Sequence, residues 1–164
     1  MTGTLVQINI SRGGVPKRAI TSATVTPLGI EGDGWSHPQI HGGPQKALLL
    51  MASEDIEELV SLGYPVFNGA LGENLTTRGL DFRQLRAGHV LRVGQIVIEI
   101  TRVRAPCSTL AVYGESLANE IYDSRVKAGD SASPKWGKSG FYAAVIRPGP
   151  IHPDDIITLL AAAA

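Results

Sequence analysis

Apolar and polar residues alternate from Thr4 through Ile10, the two-residue period of a half-buried strand. A turn cluster, Arg12-Gly13-Gly14-Val15-Pro16, follows. Arg18 to Thr26 is rich in Thr, Val and Ile and predicts one second strand. Pro27 to Lys46 carries five glycines and three prolines and predicts a long loop, a feature that in compact domains is usually functional or disordered. Ala47 to Met51 predicts a short buried strand. Ser53 fits a helix N-cap, with Glu54, Asp55 and Glu57 in the first turn, where carboxylates suit the helix dipole. Ile56, Leu59, Val60 and Leu62 supply a partial apolar stripe, and Gly63 with Pro65 ends that helix. Asn68 to Arg78 is polar and glycine-containing, with Gly72-Glu73-Asn74-Leu75 at its centre.

Val90–Val93 and Ile96–Val103 around Gly94-Gln95 predict a β-hairpin, which stops at Ala105-Pro106-Cys107. Glu115 to Val126 predicts a second helix, with Leu117, Ala118, Ile121, Tyr122 and Val126 on one face. Ala128 to Lys138 is a polar loop, and Phe141–Ile146 and Ile156–Leu160 close the chain as strands. The elements amount to about seven or eight short strands and two helices, without a repeat or a linker. Strands do not alternate regularly with helices, which disfavours a parallel βαβ sheet. The expectation is a mostly β fold, an antiparallel β-barrel with a few short helical insertions. It forms a single domain over residues 1–160, with Ala161 to Ala164 as a tail.

Composition agrees with that picture. The 164 residues are 43% hydrophobic, too apolar for a disordered chain. Nineteen glycines and ten prolines favour a turn-rich β architecture. Fifteen Lys+Arg balance fifteen Asp+Glu, which argues against a nucleic acid polymer as partner, since such binding needs a basic face. One cysteine excludes an internal disulfide and a cysteine-rich zinc site. The longest apolar run, Ala47 to Ala52, falls far short of the ~20 residues that span a bilayer, and Met1-Thr2-Gly3-Thr4 does not open a signal peptide. A cytoplasmic protein with no membrane partner is expected.

Chemistry centres on Cys107. It follows Pro106 where a strand breaks, just after Arg102 and Arg104, which alternation would place on one face. Cationic neighbours favour the thiolate. The competing reading is a small buried hydrophobe. The stretch from His37 to Lys46 contains His-x3-His, but Pro38 and Gly42-Gly43 oppose the helix a metal pair would need. Anion binding suits it better. Gly42 and Gly43 could turn N–H groups into one concavity, with His41 and Lys46 adding side-chain donors. An ordinary structural turn is the alternative. Glu73 and Asn74 form a polar pair within a glycine turn, where turn chemistry competes with ligand binding. Lys135 to Tyr142 interleaves aromatic and basic residues, as a platform for a planar phosphate-bearing ligand would. Gly137-Lys138-Ser139 is no P-loop, because Ala132 stands where the earlier glycine belongs. Residues 101–152 hold seven Lys+Arg against four Asp+Glu, a positive excess around the only thiol.

These pieces, in this order, resemble the MOSC domain, the sulfur-carrier domain of molybdenum-cofactor sulfurases and of stand-alone bacterial proteins. The matching stretches are Gly32-Asp33-Gly34, His41-Gly42-Gly43-Pro44-Gln45-Lys46-Ala47, Gly72-Glu73-Asn74-Leu75-Thr76, Gly79-Leu80 and Gly88 to Gly94. Thr101 to Cys107 and Gly140 to Val145 complete the set. The resemblance implies a β-barrel that binds molybdenum cofactor (molybdopterin) or a related anionic cofactor. Pyridoxal phosphate binding is a further association at family level. Cys107 would carry a persulfide or contact the metal as a thiolate. His41, Gly42, Gly43, Glu73 and Asn74 would belong to the pocket. The stand-alone branch is linked to molybdenum-dependent reduction of N-hydroxylated bases, so the chain would be a sulfur carrier or a component of such a reductase.

On this reading Arg102 and Arg104 favour the thiolate. Gly42, Gly43, His41 and Lys46 hold an anionic part of the cofactor, and Asn74 bonds a polar ligand edge. The chain shows no flavin, iron–sulfur or nicotinamide motif, so a sulfur donor or redox partner protein is expected. Ile151 to Ile156, His89 and the Met51-Ala52 pair depart from the family pattern. Two other functions fit the residues. One is a cysteine-nucleophile acyl-transfer enzyme using Cys107, a histidine and an arginine. The other is a binding module with no chemistry of its own.

Overall fold

The computed structural model describes residues 1–34 and 42–162. Eleven strands appear among them: β1 (Thr2–Ile10), β2 (Arg18–Ile20), β3 (Ala23–Thr26), β4 (Gly29–Ile30), β5 (Leu48–Ala52), β6 (Leu75–Arg78), β7 (Val90–Val93), β8 (Ile96–Val103), β9 (Phe141–Arg147), β10 (Gly149–Ile151) and β11 (Ile156–Ala161). Helix α1 (Ser53–Ser61) follows β5, while α2 (Leu117–Ile121) and α3 (Ser124–Lys127) lie between β8 and β9.

Seven strands run β11-β7-β8-β9-β5-β6-β1, and β1 pairs back with β11, so the sheet closes into the expected barrel. Closure leaves no free edge among those seven. Strand β2 hangs on β1, and β10, β3 and β4 form a small second sheet. Every barrel pairing is antiparallel except β5 with β6. That pair is parallel because α1 carries the chain back before β6, one βαβ unit that the overall pattern did not suggest.

Two apolar clusters explain where the hydrophobic residues go. Leu5, Ile8, Leu48, Leu50, Leu91, Val93, Ile98, Ile100 and Phe141 fill the barrel. Met51, Ile56, Leu59, Leu71, Leu110, Leu117 and Ile121 form a second cluster, packing α1 and α2 against the outside of β5. Strand β5 is therefore covered on both faces, which is why it reads as a continuous apolar run rather than an alternation.

Several local expectations change. Arg18 to Thr26 is two strands, because the chain leaves β1 at Thr21-Ser22 and β3 joins the second sheet. Glu115 to Val126 is two short helices. Tyr122 and Asp123 are extended between them, and Asp123 caps α3 by accepting from Val126 N at 2.8 Å. Ser53 is the first residue of α1 and makes no side-chain cap; Ala52 stands at the cap. Val60 and Leu62 are exposed, so the stripe of α1 is narrower than expected. The polar stretch Asn68–Arg78 ends in strand β6, and β11 runs one residue past Leu160. The stretch from Lys135 to Phe141 braces the barrel instead of offering a platform. Trp136 is buried, donates Nε1–H to Leu85 O at 2.9 Å and packs edge-on to Phe141, while Lys138 pairs with Glu58. Among the described residues no helix is long and apolar enough to cross a membrane.

Candidate functional site

One pocket gathers most of the residues that carry chemistry. Its walls come from the turn after β1 (Gly14, Val15, Lys17), from Gly34 and Gly42, and from the 3-10 turn Pro44–Lys46. The loop before β6, the stretch Arg104–Thr109 and Tyr142 of β9 complete it.

Cys107 is half-buried and unpaired by any disulfide. Strand β8 ends at Val103, and Cys107 opens the 3-10 turn Ser108–Tyr113 with its sulfur 2.7 Å from Thr109 Oγ1. Two histidines of the chain, His89 and His152, do not line this pocket. His37 and His41 lie outside the described residues.

Arg104 is 3% exposed. Its Nε donates to Ser139 O at 2.9 Å and its Nη2 to Leu71 O at 3.0 Å, while Ser139 Oγ donates back to Arg104 O at 2.6 Å. Burial pulls its pKa below the ordinary arginine value, against the opposing pull of Tyr142, Glu73 and Cys107. Arg102 does not share that face. The pairing of β8 with β9 slips between Ile100 and Arg102, and the strand ends one residue later, so alternation no longer holds. Arg102 is exposed, and the expected pair of arginines beside the thiol reduces to Arg104. The charge of Arg102 is still felt at Lys46, whose pKa is lowered first by burial and then by Arg102. Lys46 Nζ also stands 5.3 Å over the ring of Tyr142, a half-buried phenol whose pKa burial raises.

Gly42 lines the pocket. Gly42 and Gly43 both have positive φ, 85 and 88, and Gly43 has ψ 168, backbone that glycine adopts readily.

Glu73 and Asn74 hold the pocket wall from behind. Glu73 is 0% exposed. Its Oε1 accepts from Gly69 N at 2.5 Å and from Thr76 Oγ1 at 3.1 Å, and Oε2 is buried without a hydrogen-bond partner among the described residues. Burial raises its pKa above the ordinary glutamate value. Asn74 lines the pocket, yet its side chain is engaged within the protein. Oδ1 accepts from Leu49 N, and Nδ2 donates to Asp33 Oδ2 at 2.8 Å and to Asn9 O.

Sequence reasoning missed Lys17 and Thr109 as pocket residues, while of the Lys135–Tyr142 stretch only Tyr142 lines the pocket. Lys17 is buried and ion-paired with Asp33. The available signal was a cation after Gly13-Gly14, the same pattern that was read around Lys46. The pocket lining thus carries three cations, Lys17, Lys46 and Arg104, with Asp33 behind Lys17. Among the described residues no three of His, Cys, Asp and Glu converge as a metal cage. The pocket offers a metal one sulfur, that of Cys107.

The sequence profile of the MOSC domain matches residues 37–158. The protein YflK of Bacillus subtilis (strain 168) is 33% identical over 152 residues, covering 90% of this chain and 63% of its own length. Protein YiiM of Escherichia coli (strain K12) is 31% identical over 144 residues, covering 83% of this chain and 58% of its own. The chain thus spans less than two thirds of the length of these relatives. Among solved structures, YiiM from Geobacillus stearothermophilus aligns with a TM-score of 0.68 at 24% identity, over 97% of this chain and 75% of that one. YiiM from Escherichia coli aligns at 0.69 and 22%, over all of this chain and 72% of that one. These two likenesses establish the barrel fold.

Proposed function

The chain belongs to the MOSC-domain family, and on that premise we propose that its pocket binds molybdenum cofactor with Cys107 as the protein's sulfur. It would act as a sulfur carrier, or as the cofactor-loaded component of a reductase for N-hydroxylated compounds. The observation that carries the reading is a half-buried lone thiol lining the same pocket as Lys17, Lys46 and Arg104.

The donor chemistry fits the group. A thiolate is a soft ligand for a transition metal and the nucleophile toward a sulfur donor. Cationic side chains suit a phosphate-bearing pterin. Cys107 is the residue that would hold the metal, and Lys17, Lys46 and Arg104 would face the anionic parts of the group. Bound, the cofactor would supply a redox metal centre.

The chain's own residues divide the rest of the work. Arg104, its guanidinium fixed by the carbonyls of Ser139 and Leu71, brings a positive charge to the lining that Cys107 shares. Lys46 and Lys17 attract the anionic end of a ligand, and Asp33 keeps Lys17 in place. Asn74 and Glu73 hold the loop that forms one wall. With a single cysteine, sulfur carried on Cys107 must leave to an outside acceptor.

Protein purified without oxygen from a cofactor-producing host tests this by molybdenum analysis and pterin fluorescence. About one molybdenum and one pterin per chain are expected. Absence of both, with no uptake of isolated cofactor, would overturn the proposal.

A further inference from the structure

We propose that Arg104 anchors an oxyanion site in this pocket: its Nη1 donates to an oxygen of a compact phosphate-like group, free in solution or carried on a larger molecule. This rests on the reading of the pocket as the seat of an anionic ligand, and it sets one cation apart from the other two. Lys17 already has a counter-ion in Asp33, 2.5 Å away. Lys46 lies 5.3 Å over the Tyr142 ring. Arg104 is buried, yet it forms no ion pair among the described residues. A charge so far from water is ordinarily paired. Glu73 is the carboxyl whose charge reaches it, but Glu73 Oε1 accepts from Gly69 N and Thr76 Oγ1 instead.

The guanidinium has one nitrogen left for a ligand. Nε donates to Ser139 O and Nη2 to Leu71 O, with Met51 Sδ 3.6 Å from Nη2. Nη1 has no hydrogen-bond partner among the described residues. Among those residues Glu73 Oε2 is the one side-chain nitrogen or oxygen both sealed and unpartnered, so Nη1 keeps an open side, toward the pocket that Arg104 lines. The two carbonyls fix the plane of the guanidinium and so aim Nη1 in advance. A planar, always-charged donor set of this kind matches phosphate oxygens. The pocket volume of about 90 Å³ is several times the roughly 10–15 Å³ that seats one water, so a five-atom oxyanion fits.

Inorganic phosphate, titrated by calorimetry into the purified chain at constant ionic strength, tests the site. Saturation near one phosphate per chain is expected, with glycerol phosphate binding and glycerol not. Tighter binding of the ester would support a group that arrives on a larger molecule, and equal binding would support the free ion. Arg104→Lys keeps the charge and loses the fork, and is expected to weaken phosphate about tenfold, the scale of one charge-assisted hydrogen bond. Arg102→Ala removes an exposed cation outside the lining and is expected to stay within about twofold, as a screened surface charge should. Equal weakening in the two variants would mean that a diffuse positive field attracts the ion, and would overturn the proposal. So would a parent that does not bind phosphate saturably. If Arg104→Lys does not fold, the parent decides alone: the guanidinium proton resonances of Arg104 are expected to shift in step with the calorimetric curve, and unmoved resonances would overturn the site. Phosphate binding without uptake of molybdenum cofactor would sink the proposed function and leave the site standing. Cofactor uptake without phosphate binding would do the reverse.

Discussion

The ammonium of Lys17 lies 2.5 Å from the carboxylate of Asp33, with side-chain exposures of 8% and 5%. Asp33 also accepts from Ser11 N at 3.0 Å and from Asn74 Nδ2 at 2.8 Å. One carboxylate thus ties the turn after β1 to the loop after β4 and to the loop that opens β6. All three segments reach the pocket.

Removing that carboxylate strands a buried cation. Asp33→Ala is expected to lower stability by about 3–5 kcal/mol, the usual cost of breaking a buried pair from one side. The double variant Lys17→Met/Asp33→Ala is expected to lose less than Lys17→Met and Asp33→Ala add up to, since no lone charge remains. Urea unfolding of the four proteins provides the comparison. Additive losses would show that the pair is not coupled.

The two arginines beside the thiol are expected to separate cleanly. Arg104→Ala leaves the carbonyls of Leu71 and Ser139 without their donor and opens a hole, so a loss of about 3 kcal/mol is expected. Arg102→Ala is expected to stay within about 0.5 kcal/mol of the parent, as exposed substitutions do. Equal losses in denaturant midpoints would contradict the placement of Arg102 outside the pocket.

Glu73 gives stability a pH dependence of definite sign. Burial keeps the folded carboxyl protonated to a higher pH than the unfolded one. The unfolded chain therefore releases its proton first, and rising pH favours unfolding through and above the ordinary glutamate range. Asp55, also raised by burial, acts in the same direction. Glu73→Gln removes the Glu73 share, so its stability relative to the parent is expected to improve as pH rises from about 4 to 7. A constant difference across that window, measured by chemical unfolding, would mean that Glu73 does not titrate this way.

Two glycines with nearly the same φ are expected to behave differently. Gly140 has φ 89, and a Cβ there would lie 2.4 Å from Leu50 O, inside the β5–β9 pairing. Gly43 has φ 88 with nothing within 4 Å of a Cβ. Gly43→Ala is expected to cost only the backbone strain of its mirror-extended conformation, about 1–3 kcal/mol. Gly140→Ala should cost clearly more, because backbone must move. Thermal midpoints order the two.

Much of the barrel was legible because period-two alternation marks strands with one covered face, as in Val90–Val93 and Ile96–Ile100; Thr4–Ile10 is also a strand, although a slip in its pairing between Leu5 and Gln7 turns both Leu5 and Ile8 inward. What was not legible depends on distant partners. Strand β6 hides in a polar stretch because Thr76 and Thr77 are buried by bonding Glu73 and the carbonyl of Met51. The helix expected over Glu115–Val126 has the right apolar spacing, yet the cap at Asp123 divides it. In the site, Cys107 was visible as the one thiol at a strand end. Arg102 was misplaced because alternation cannot anticipate a slipped pairing. Lys17 and Asp33 lie 16 positions apart and meet only when the turn after β1 folds against the loop after β4.

The most direct test of Cys107 as the cofactor's protein sulfur is a titration of the purified chain with isolated molybdenum cofactor, reading metal uptake and Cys107 alkylation together. Uptake should saturate near one molybdenum per chain, with the thiol becoming protected in step, and Cys107→Ala should bind far less. Molybdenum bound while Cys107 alkylates at its free rate, or no uptake at all, would contradict the account.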